Sequence, residues 1–161
     1  MTNDDDIKYM QKAIKEARQA ARAGEVPVGA VIVCDDEVVA QARNEREERE
    51  SAMAHAEILA IEEASKKLGR WRLSDCTIYV TKEPCPMCAG AIFQARMKRL
   101  VFGPSDQKSG AAGTLYNIVQ DERLNWQLEV TRGVLEEENR ELLQDFFRAR
   151  RAKAKDNDQG Y

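Results

Sequence analysis

Histidine occurs once in these 161 residues, so every mechanism that needs an imidazole must run through His55. Cysteine is also scarce: of four, Cys85 and Cys88 lie close together, while Cys34 and Cys76 each stand alone in a strand-like run. Such a set does not make a disulfide framework, and a pair at metal-ligand spacing suits a reducing compartment, so the expected location is cytoplasmic. No apolar run approaches the roughly 20 residues of a membrane helix, so no membrane partner is expected. Met1 to Asp6 carry acids and no apolar segment, unlike a signal peptide. An overall basic excess is missing too: the net charge of −3 argues against unspecific nucleic-acid binding and leaves only a local basic patch as a possible footprint. Internal repeats and low-complexity stretches are absent.

What is present suits one globular domain. A hydrophobic fraction of 43% and a charged fraction of 33% over this length allow a substantial core without a second unit. The expected organisation is one domain over 1–155 and a disordered tail over 156–161.

Ala54-His55-Ala56-Glu57 and Pro84-Cys85-Pro86-Met87-Cys88 carry the chemistry. One imidazole and two thiols supply three ligands to Zn²⁺ and leave the fourth tetrahedral position for water, as a catalytic site requires. Glu57, two residues past the histidine, can move protons for that water without binding the metal. His-x-Glu followed by Pro-Cys-x-x-Cys is the pattern of zinc-dependent nucleobase deamination. Cys-x-x-Cys alone is weak, because thiol redox sites and structural zinc knuckles share it. A structural zinc would need a fourth ligand, and the two isolated cysteines are the only spares. Two thiolates and a neutral imidazole leave the site near zero net charge, so its water is less acidified than under three imidazoles and Glu57 must assist.

Apolar residues at helical spacing from Ile7 to Ala23 predict a core-covering helix, ended by Gly24. Val28 to Val33 reads as a strand, and Asp35-Asp36 turns it into a second, Val38 to Ala42. Asn44 to Met53 reads as a charged, solvated loop. A helix from about Ala54 to Leu68 puts His55 and Glu57 in its first turn, with Gly69 as cap. Thr77 to Thr81 is a strand; Pro84 or Pro86 opens a helix to about Arg96, with both thiols at its dipole-positive start. Arg99 to Gly103 and Gln127 to Arg132 are further strands, and Glu136 to about Lys153 a closing helix. This order implies a three-layer α/β/α sandwich around a mixed sheet.

The resemblance to a known family is close. Glu25-Val26-Pro27-Val28-Gly29-Ala30-Val31, Asn44, the His55 motif, Tyr79-Val80-Thr81 and Glu83-Pro84-Cys85-Pro86-Met87-Cys88-Ala89-Gly90-Ala91 resemble the bacterial tRNA-specific adenosine deaminases. Val101-Phe102-Gly103, Lys108-Ser109-Gly110-Ala111-Ala112-Gly113 and Asp145-Phe146-Phe147-Arg148-Ala149-Arg150-Arg151 continue the match. The zinc motifs alone point only to the deaminase superfamily; the glycine-alanine loop and the Phe-Phe-Arg end point to this branch. The resemblance implies a cytidine deaminase-like fold, one Zn²⁺ per subunit, a homodimer, and conversion of the wobble adenosine of a tRNA anticodon stem-loop to inosine. It also implies that Asn44 hydrogen-bonds the purine, that the Asp106 and Lys108 loop touches the flipped anticodon, and that Phe147, Arg148, Arg150 and Arg151 hold flanking nucleotides. Of the adjacent rings, Phe146 is expected inside and Phe147 available.

Three places depart from the family's pattern. Lys82 stands where an apolar residue is expected, Ser51-Ala52-Met53 replaces a Pro/Thr-containing approach to the histidine, and Trp126 takes a position where histidine is frequent. Two other readings use the same motifs. A deaminase of free bases or nucleosides, of guanine or cytosine type, would not need the basic terminal helix. A non-catalytic, zinc-stabilised RNA-binding subunit would have no use for Glu57.

Overall fold

β-branched residues crowd the stretches around Val28 to Val33 and Thr77 to Val80, and such runs suit strands buried on both faces. The computed structural model describes residues 3–159 and places these runs at the centre of a five-stranded sheet, as β1 (Gly29–Cys34) and β3 (Cys76–Val80). With β2 (Glu37–Arg43), β4 (Arg99–Phe102) and β5 (Glu129–Thr131), the order is β2-β1-β3-β4-β5. β1 pairs antiparallel with β2 and β3, whereas β3–β4 and β4–β5 are parallel, so the sheet is mixed as expected. Asp35 and Asp36 turn β1 into β2 with φ of 50° and 61°, the left-handed pair a two-residue hairpin needs.

The two-residue period of the strands divides the core into two layers. Ala30, Ile32, Ile78, Val80, Leu100 and Phe102 pack with residues of α2 (Ala56–Leu68) and α3 (Pro86–Gln94). Val31, Val33, Tyr79 and Val101 pack with Tyr9, Met10, Ala13 and Ile14 of α1 (Asn3–Arg22). The first turns of α4 (Glu136–Gln159) lie beside α1, where Arg18 reaches Glu138 at 2.8 Å. This is the expected three-layer α/β/α sandwich. Close approach of α1 to the sheet requires Gly29, where a Cβ would stand 2.0 Å from the Ala13 carbonyl oxygen.

Several element ends differ from the sequence expectation. α1 begins at Asn3, because Asp4, Asp5 and Asp6 favour the positive end of the helix dipole and Asp6 is held by Arg99 at 2.7 Å and by the Tyr79 hydroxyl at 2.9 Å. α2 starts only at Ala56, with His55 extended ahead of it, and α3 stops at Gln94 before Arg96 turns to a φ of 56°. α4 runs on to Gln159, into the stretch expected to be disordered, carried there by the strong helix formers from Arg148 to Lys155 ahead of it; Gly160 and Tyr161 lie outside the described residues. Among the described residues, no helix is long and apolar enough to cross a membrane.

Candidate active site

Two helix beginnings meet at one point. His55 is the residue before α2 and Cys85 the residue before α3; both have extended backbones, and neither side chain caps its helix. Pro86 at the first helical position fixes where α3 starts, which places Cys88 one turn in. His55 Nδ1 lies 3.4 Å from Cys88 Sγ and 3.7 Å from Cys85 Sγ. Three donor atoms so close together form a group able to hold a metal ion.

The three donors and Glu57 perturb one another's protonation. Donation from the Cys88 thiol draws Cys85 down to about 4 against the cost of burial, with the His55 ring assisting. Cys88 is pushed up by that same sulfur and by burial, while the bond to Cys85 raises His55. Glu57, in the first turn of α2, is 3% exposed, and burial pushes its carboxyl up.

A cavity of about 300 Å³ opens above this group, lined by Asn44, Arg46, His55, Glu57, Lys82, Cys85, Phe147 and Arg150. Phe147, 37% exposed, also lines an adjoining groove with Lys108, Arg148 and Arg151. A third recess joins Phe147 and Lys108 to Lys82 and Asp106. Every residue predicted to ligate metal, move protons or contact substrate therefore lies in or beside one connected region, with Cys88 buried beside Cys85. Phe146 is half-buried rather than inside the core: it meets Phe147 edge-on at 5.5 Å and is covered by Arg150, while Phe147 is exposed as expected.

Two assignments acquire a structural side. Asn44 accepts the Ala56 N–H at 2.9 Å and donates to the Val26 carbonyl at 3.1 Å, so it serves α2 as a cap and keeps one donor and one acceptor site free. Asp106 accepts from the Lys108 N–H at 2.9 Å, the Ser109 hydroxyl at 3.0 Å and the Lys82 ammonium at 3.0 Å. Burial would raise its carboxyl, but these donors outweigh it and draw it down to about 2.

Sequence reasoning missed two buried carboxylates that hold the walls. Glu25 accepts the N–H groups of Glu47 and Glu48 at 3.0 and 2.9 Å, which fastens the charged loop and brings Arg46 to the cavity; that loop is not merely solvated. Glu83, wholly buried, accepts the N–H groups of Asp106, Ala112 and Thr114 at 3.0, 3.0 and 3.1 Å, together with the Thr114 hydroxyl. Both acids open motif runs, Glu25-Val26-Pro27 and Glu83-Pro84-Cys85, and that placement was the available signal. Trp126 has a packing role, donating to the Met97 carbonyl at 2.8 Å. Cys34, Asp75 and Cys76 also cluster, but Arg70 binds Asp75 at 2.8 Å and reaches Cys34, so a cation there would meet a guanidinium.

Comparison with known proteins agrees with this geometry. A model of the MafB19-like deaminases matches residues 4–151. The tRNA-specific adenosine deaminase of Bacillus subtilis is 54% identical over 155 residues, 96% of this chain and 95% of that protein. A solved structure from work on A-to-I editing by tRNA deaminases at the wobble position superposes with a TM-score of 0.82 and 40% identity, covering 84% of this chain and 99% of that one. A guanine deaminase from Bacillus subtilis superposes less well, with a TM-score of 0.60 and 38% identity over 66% of this chain and 69% of its own. With the matched family spanning all the elements that build the cavity, the chain belongs to the MafB19-like deaminases.

Proposed function

We propose that this protein hydrolyses the wobble adenosine of a tRNA anticodon to inosine, releasing ammonia. The observation that carries the reading is the continuity of the site: Phe147 borders both the cavity over His55 and Cys85 and the cationic groove of Lys108, Arg148 and Arg151. A cavity for one base beside a groove for a strand suits a nucleotide flipped out of RNA. The relatives named as tRNA-specific adenosine deaminases, matched over nearly their whole length, support the same substrate.

His55, Cys85 and Cys88 are the residues to hold zinc. Tetrahedral bonds of about 2.3 Å to sulfur and about 2.0 Å to nitrogen would separate sulfur from nitrogen by about 3.5 Å, and the two separations here are 3.4 and 3.7 Å. Zinc bound there supplies a water activated for hydrolysis near neutral pH. Glu57 takes one proton of the attacking water and delivers it to the ring nitrogen, then carries the second, from the hydroxyl now on carbon, to the departing amine, which leaves as ammonia. Its burial keeps bulk water from competing for those protons. The free donor and acceptor sites of Asn44 orient the purine edge, the loop of Asp106 and Lys108 bounds the flipped nucleotide, and Phe147 stacks a neighbouring base. Arg148, Arg150 and Arg151 meet phosphates. The reading includes a homodimer in the cytoplasm, and the exposed apolar side chains Met53 and Met87, near the ligands in sequence, offer contact surface.

The test incubates zinc-loaded protein with an anticodon stem-loop carrying wobble adenosine, beside free adenosine, cytidine and guanine, and reads inosine and ammonia. Inosine in the stem-loop alone is the expected result. Turnover of a free base with the stem-loop untouched would overturn the substrate.

A further inference from the structure

Lys82 follows β3 at the one place where the catalytic cavity and the recess beside the groove share a cation. Its side chain lines the cavity with His55, Glu57 and Cys85, and the recess with Ser105, Lys108 and Phe147. The side chain is 28% exposed, and its Nζ stands 3.0 Å from Asp106 Oδ2. Asp106 does not depend on that bond, because the N–H groups of Lys108 and Ser109 and the Ser109 hydroxyl already donate to it. An ammonium carries three donors, and the Asp106 contact uses one. Two N–H bonds therefore remain at the throat.

A free base in the cavity leaves this throat empty, whereas a nucleotide within a strand cannot. If the base occupies the cavity and the strand follows the groove past Phe147, the backbone joining them crosses between Lys82 and Phe147. We infer that Lys82 binds the phosphodiester flanking the reacting nucleotide, a contact that the apolar residue expected at this position could not make. Asp106 holds the ammonium in place before substrate arrives, so little ordering remains for binding. The inference rests on the proposed RNA substrate and adds to it the anchor for one particular phosphate.

The experiment uses full-length, zinc-loaded protein carrying Glu57→Gln, so that binding is read without turnover. Dissociation constants are measured from about 50 to 200 mM salt for stem-loops with native phosphates, and for stem-loops with a neutral methylphosphonate on either side of the wobble adenosine. Lys82→Met should weaken the native stem-loop roughly tenfold and flatten the plot of log affinity against log salt by about 0.7. Lys82→Arg should keep the slope. One of the two methylphosphonates should weaken the Lys82 protein and leave Lys82→Met no weaker than before, a coupling that a merely structural lysine would not produce. An unchanged slope with additive losses overturns the phosphate contact while leaving the substrate standing. Failure of the Lys82 protein to bind the native stem-loop overturns both.

Discussion

His55 and Cys85 stand where helices begin, yet neither is used as a cap, and that economy leaves an imidazole and a sulfur free to face each other. Asn44 takes the capping role for α2 from the far end of the same connection, twelve residues before Ala56, a contact the spacing alone does not reveal. The proton-transfer role of Glu57 makes a sharp prediction. Glu57→Gln should retain zinc by elemental analysis and lose about 10²- to 10⁴-fold in kcat, whereas Cys85→Ser and Cys88→Ser should lose zinc along with activity. A Gln variant of near-normal turnover would remove Glu57 from the mechanism. Asp106 offers a test of pH dependence. Its carboxyl is drawn down from 3.8 to about 2, so its contribution is full above the unfolded value and is lost as pH falls through about 2. At roughly 1.4 kcal/mol per pH unit, Asp106→Asn should cost about 2 kcal/mol at pH 7. Urea titrations should find the gap between the two proteins narrowing below about pH 4.

Strands and helices were largely legible because their patterns are local. The β-branched runs, the Asp-Asp turn and Pro86 each encode an element without reference to distant residues. The clamps were not legible, since Glu25 and Glu83 act on backbone more than twenty residues away and nothing nearby reveals the partner. α1 was read short at its start for a related reason: Asp6 looks like a solvated acid until Arg99, ninety-three positions on, is placed against it. Glu83→Gln should expose the clamp, because an amide nitrogen would face donors that now meet a carboxylate and leave a buried N–H unpaired, at a cost of about 1–3 kcal/mol. Hydrogen exchange should quicken at residues 106–114 before it quickens in the sheet, and uniform exchange across the chain would count against a local clamp. Gly29→Ala tests packing instead. The added Cβ would meet backbone atoms of α1, and the shift required should lower stability by about 1–3 kcal/mol or more.

At the scale of the molecule, a net charge of −3 coexists with a cationic surface because acids and bases separate along α4. Glu136, Glu137 and Glu138 open that helix near α1, and Arg148, Arg150 and Arg151 stand past Phe147 beside the site. Arg140 is tied to Glu136 at 2.8 Å and Arg148 to Asp145 at 3.2 Å, but Arg150 and Arg151 make no ion pair with the described residues. Arg150 lines the catalytic cavity and Arg151 the groove, while Lys153 and Lys155 line neither. Ending the chain after Ala149 should therefore leave zinc content and melting unchanged, since residues 147–157 are exposed along α4. It should weaken stem-loop binding and reduce its salt slope by about 1.4, two contacts at about 0.7 each. A loss near 2.8, four such contacts, would bring Lys153 and Lys155 into the interface and extend the RNA path beyond the groove. No loss of slope would detach the helix end from RNA and leave its bases to the helix dipole alone.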